Sequence, residues 1–122
     1  MRFVCWFRFL YVSDICLYMT LYKKLVRDKI PDIIIRGGRR IRMRQAADDE
    51  MAGFLKQKFY EEAEEFFSSG KKEELADVLQ VLYAMSEFYN FGISELEEIR
   101  KRKLEERGDF SKRIILESVD DA

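Results

Sequence analysis

The sequence predicts an all-α protein, and three observations carry that reading. Charged residues make up 37% of the chain while Pro occurs once, the balance of long amphipathic helices. Apolar residues recur at helical spacing through most of the second half. Clusters of breakers, Gly37-Gly38, Ser68-Ser69-Gly70 and Gly92, separate those periodic runs. At 122 residues the chain is expected to form one domain.

The elements follow in order. A short helix is expected from about Lys29 to Arg36, with Pro31 tolerated in its first turn and Gly37-Gly38 ending it. Arg39 to Arg44 alternates Arg with Ile and Met and reads as a short strand. A second helix starts at Asp48 or Asp49, either a good N-cap, and runs to about Phe67. Ser68-Ser69-Gly70 breaks it. A third helix spans about Glu73 to Tyr89, and Gly92 closes the turn after it. Ser94-x-x-Glu97 reads as a capping box opening a fourth helix that ends at Gly108. Arg113 to Glu117 then reads as a strand, so one small β pair, 39–44 with 113–117, is expected beside the helices.

Residues 1–21 do not share this organisation. The segment is rich in Phe, Tyr, Trp and Leu, yet Arg8 and Asp14 interrupt it, so it fits neither a membrane helix nor a signal peptide. It is expected to be a mis-started or non-native leader with Met19 as the start, an interaction arm being the alternative. The domain proper is then 22–119. Cys5 and Cys16 both lie in this leader and make no disulfide framework, which points to a reducing, cytoplasmic setting.

The absence of His excludes much chemistry at once. His-ligated zinc, His general-base catalysis and Ser-His-Asp or Cys-His nucleophiles all require it. The net charge of −1 hides a segregation. Residues 22–44 carry nine Lys or Arg against two Asp, while residues 45–77 carry ten acidic groups against four Lys. One block suits a polyanion and the other suits a cation.

The acidic block is not simply a solvated face. At about 100° per residue, Leu55, Phe59 and Phe66 form one stripe, and Glu62 falls near its centre. Glu65 follows one turn on, while Glu61 and Glu64 lean outward. On the third helix Asp77 lies with Val81, Ala84 and Phe88, and Glu74 lies with Val78 and Met85. Glu62, Glu65, Glu74 and Asp77 thus project toward the packed side of two helices joined by a tight turn. Burying isolated carboxylates is costly, and converging ones also repel, so a cation is required. An all-oxygen ligand set selects a hard ion, Mg²⁺ with Mn²⁺ as substitute. The alternative is that Lys or Arg side chains neutralise the group. For phosphate partners of the metal the basic groups are Lys24, Arg27 and Lys29, then Arg39, Arg40, Arg42 and Arg44, and later Arg100 to Lys103 and Arg107.

Glu61-Glu62-x-x-Glu65 followed by Glu74-x-x-Asp77 resembles the E-E-x-x-E … E-x-x-D signature of the all-α nucleoside triphosphate pyrophosphohydrolases, the MazG and phosphoribosyl-ATP pyrophosphohydrolase superfamily. Lys24-Leu-Val-Arg-Asp-Lys-Ile-Pro-Asp-Ile-Ile looks like the opening of a small single-domain branch, the predicted house-cleaning pyrophosphatases. Glu74-Leu-Ala-Asp-Val-Leu-Gln-Val and Glu105-Glu-Arg-Gly-Asp-Phe-x-Lys-Arg-Ile are similar to that branch as well. The resemblance covers about Tyr22 to Val119.

It implies an antiparallel helical bundle that hydrolyses a nucleoside triphosphate or similar nucleotide between the α and β phosphates. It implies Mg²⁺ on Glu62, Glu65, Glu74 and Asp77, with Glu61 orienting or deprotonating the attacking water beside Glu62. Lys24, Arg27 and Lys29, with Lys101 and Arg107, would hold the phosphates. A homodimer or homotetramer is implied too, with no membrane partner. The rival readings are a helical homo-oligomeric interaction module and, ranked lower, an RNA-binding protein using Arg36 to Arg44. Neither rival accounts for Glu62 inside an apolar stripe.

Overall fold

A computed structural model describes residues 23–121. The leader, with Met19 and both cysteines, lies outside the described residues. Among those described there are four helices: α1 (Ile30–Arg36), α2 (Asp48–Ser69), α3 (Lys72–Phe88) and α4 (Ile93–Arg107). The all-α class expected from the sequence holds.

Each helix starts and stops for a local reason. Pro31 sits in the first turn of α1, where its missing N–H leaves no helical bond unmade. The end of α1 is a Schellman motif: Gly38 takes φ +83°, its N–H donates to the Ile35 carbonyl at 2.9 Å, and the Arg39 N–H donates to Ile34 at 3.3 Å. The end of α3 repeats the motif with Asn90 in the left-handed position at φ 58°. There the Asn90 N–H donates to Glu87 at 3.2 Å and the Phe91 N–H to Ser86 at 2.9 Å. The Ser86 hydroxyl also donates to the Phe91 carbonyl, fastening the turn a second time.

Two helix starts differ from the sequence reading. For α2, neither Asp48 nor Asp49 is the cap. Ala47 takes that place: its carbonyl accepts from the Glu50 and Met51 N–H groups at 3.1 Å, and its own N–H donates to Glu50 Oε1 at 3.0 Å. The acidic half of a capping box does the work, which leaves Asp48 and Asp49 in the first turn against the positive end of the helix dipole. For α4, the helix begins at Ile93 with an extended Gly92 before it, so Ser94 is already inside the helix and makes no capping hydrogen bond. Glu97 instead pairs with Arg100 at 2.8 Å.

The β pair is also overturned: neither 39–44 nor 113–117 belongs to a strand, and the described residues contain none. An isolated two-stranded pair needs a buried face to persist. Ile114, Ile115 and Leu116 are exposed, and a turn through Phe110–Arg113 puts Arg113 at φ 57°, ending the extended run at its first residue.

By internal contacts the chain forms two compact units, residues up to Glu64 and residues from Glu65, the boundary falling inside α2. The first buries Leu55, at 1% exposure, on one stripe of α2 with Lys58 and Glu62. Glu50 reinforces its loop: the Arg44 guanidinium first, and the Ala47 N–H second, hold the Glu50 carboxyl below its ordinary value. The second unit buries Val81 and Ser86 on α3. Leu75, Leu79, Leu82 and Tyr83 of the same helix stay exposed. On the helical wheel the three leucines lie about 140–200° from Asp77. The helix therefore carries a bare leucine stripe.

Candidate metal centre

Glu62 reaches its position because Leu55, Lys58 and Glu62 share one stripe of α2 at i, i+3 and i+7. Leu55 anchors the stripe in the apolar interior, and Glu62 is carried in with it to 5% exposure. Glu74 and Asp77 stand one turn apart near the start of α3, both partly buried. Glu62, Glu74 and Asp77 each offer one carboxylate oxygen, and these oxygens all lie within 4.8 Å of one another. Three of the four carboxylates singled out from sequence are thus brought together. Glu65, partly buried one turn beyond Glu62, is not in that group.

The donor set is oxygen only and includes one carboxylate almost wholly withdrawn from water. Such a set fits a hard divalent cation such as Mg²⁺ or Mn²⁺ and does not suit the soft or imidazole-seeking metals.

The chain itself supplies a cationic group at this place. Lys58 Nζ stands 3.1 Å from Glu62 Oε1 and 3.9 Å from Glu61 Oε1. Its side chain is nearly as buried as that of Glu62, at 9% exposure. The sequence reading missed Lys58, although its i, i+4 spacing to Glu62 and its place three residues after Leu55 are the signals that would have found it. Lys24 Nζ lies 3.0 Å from Glu61 Oε1, so a residue read as a phosphate ligand and one read as a catalytic carboxylate meet directly. Glu61 keeps about a quarter of its side chain exposed, in keeping with its outward lean. Among the described residues no buried side-chain nitrogen or oxygen lacks a hydrogen-bond partner.

The remaining basic residues are distributed along the surface. Arg27 and Lys29 are exposed just before α1, Lys29 being its N-cap residue. Lys101 and Arg107 are exposed on α4. Arg44, read as part of the basic block, is engaged by Glu50, through Nη2 at 3.2 Å among other bonds. No described helix is long and apolar enough to cross a membrane. No family model, no curated protein and no solved structure matches the chain.

Proposed function

We propose that the chain is a Mg²⁺-dependent pyrophosphohydrolase that cleaves a nucleoside triphosphate, or a similar nucleotide, between its α and β phosphates. The products are a nucleoside monophosphate and pyrophosphate, and non-canonical nucleotides are the proposed substrates. The observation that carries the reading is the approach of the Glu62, Glu74 and Asp77 carboxylates to within 4.8 Å around a buried Glu62. The motif resemblance to the all-α pyrophosphohydrolases supports it from a separate direction.

Glu62, Glu74 and Asp77 would hold the ion directly, and Glu65 would act on the site from one turn beyond Glu62. A divalent cation bound there supplies neutralisation of phosphate charge and acidification of a water molecule. The other roles belong to the chain's own groups. Glu61 is adjacent to the cluster, partly open to solvent, and accepts the proton of the attacking water. Lys24, at 3.0 Å, and Lys58, at 3.9 Å, both pair with Glu61 Oε1 and so restrain the carboxylate's orientation. Lys24, Arg27 and Lys29, with Lys101 and Arg107, bind phosphate oxygens by charge-assisted hydrogen bonds and stabilise the leaving pyrophosphate. The protein is proposed to work in the cytoplasm as a homodimer or homotetramer, the exposed Leu75, Leu79 and Leu82 stripe being the surface that favours association.

The test is pyrophosphate release from a panel of canonical and damaged triphosphates with Mg²⁺. Wild type releases it, and Glu62→Gln and Asp77→Asn do not. Release from no nucleotide would overturn the reading. The leucine stripe would then favour the second one, a helical homo-oligomeric module without catalysis.

A further inference from the structure

Resting on the metal reading above, we propose that Lys58 is an internal competitor for the divalent cation: its ammonium occupies Glu62 in the metal-free protein and must yield for the ion to bind. Three facts point this way. Lys58 is on the one buried stripe of α2, at 8% exposure, where a lysine is rarely placed without a specific partner. Its Nζ contacts Glu62 Oε1 at 3.1 Å, on the same carboxylate that contributes to the three-oxygen group. That carboxylate is itself at 5% exposure, so water compensates little of its charge and a protein cation must.

The consequence is a trade-off between folding and affinity. Without Lys58 the converging carboxylates would repel one another in the empty protein, and the chain would be less stable. With it, part of the energy of metal binding is spent on breaking the Lys58–Glu62 pair, and affinity is set lower than the carboxylates alone would give. A cation of higher charge wins Glu62 only above a threshold concentration. Lys58 therefore sets that threshold, and it does so as a positioning and competing group rather than as a metal ligand.

The experiment is titration calorimetry with Mn²⁺ alone, without nucleotide, on the full chain and on Lys58→Met, Lys58→Gln and Lys58→Arg. The Kd for Mn²⁺ is expected to tighten by about tenfold or more in Lys58→Met and Lys58→Gln and to stay within about threefold in Lys58→Arg. Thermal melts run beside it read the same linkage: Mn²⁺ should raise the Tm of the neutral variants by more than it raises that of wild type. Should Lys58→Met fail to fold without metal, Lys58→Gln, which keeps a hydrogen bond to Glu62, carries the comparison. Equal or weaker Mn²⁺ binding in both neutral variants, with wild-type binding abolished by Glu62→Gln, overturns the role of Lys58 and leaves the metal centre standing. Mn²⁺ binding by neither wild type nor any Lys58 variant overturns both.

Discussion

Lys24 Nζ lies 3.0 Å from Glu61 Oε1, across 37 residues of sequence, and ties the segment before α1 to the middle of α2. Both side chains are about a quarter exposed, so the pair is screened and worth about 1 kcal/mol or less to stability. Under the proposed function its weight is in catalysis. Replacing Lys24 by Met is expected to lower pyrophosphate release by about 10–100-fold while moving the Tm by only a few degrees. Steady-state assays beside thermal melts check this; a large loss of Tm with unchanged release would show the pair to be structural.

The carboxylates are expected to rank by position. Glu62→Gln and Asp77→Asn remove members of the three-oxygen group and should abolish Mn²⁺ binding in calorimetry. Glu65→Gln, outside that group, should weaken it by about tenfold rather than eliminate it. Equal losses at all three positions would place Glu65 directly on the ion.

The interior is thin enough for single truncations to matter. Leu55 is the most buried hydrophobic residue described, and Leu55→Ala should cost about 2–4 kcal/mol in urea unfolding. The same variant should lose metal binding at moderate denaturant, because the stripe that carries Glu62 inward loses its anchor.

Acid sensitivity has a traceable contribution from Glu50. Hydrogen bonds from Arg44 and then Ala47 favour its ionised form, so its folded value lies below the ordinary 4.5. The unfolded chain therefore binds the proton first; the stabilisation is full above the ordinary value and is lost as pH falls through the folded one. Glu50→Gln should melt below wild type at pH 7 and coincide with it near about pH 2. A difference that persists undiminished in acid would remove Glu50 from the account.

Association is expected to depend on the bare face of α3. Leu79 is half exposed, and Leu79→Glu should cost little in a folded monomer while shifting sedimentation toward the monomer. An unchanged oligomeric state in the variant, or a monomeric wild type, would count against association through this face.

The helices were legible in the sequence because three of the four stop at glycines and their apolar spacing is unambiguous. Gly37-Gly38 and Gly108 end α1 and α4 as read. The caps were less legible, because a side chain pattern such as Ser94-x-x-Glu97 marks a helix start only if the backbone turns there, and the cap at Gly92 moves the start two residues earlier. Arg113 to Glu117 has strand composition, but no local rule tells whether a partner edge exists. In the candidate site, the inward positions of Glu62, Glu74 and Asp77 followed from the helical wheel. Lys58 did not stand out, since lysines in such a charged chain are ordinarily solvated, and only burial distinguishes this one.

The exposed run after Arg113 makes the molecule separable by a protease. Lys112 and Arg113 offer trypsin two cleavage sites in a turn with no helical protection, followed by apolar residues held by nothing that would slow unfolding into the active-site cleft of the enzyme. A brief digestion should release the last residues first. The fragment that ends there retains the four described helices, the carboxylate cluster and Lys58, so the proposed chemistry can be assayed without the tail.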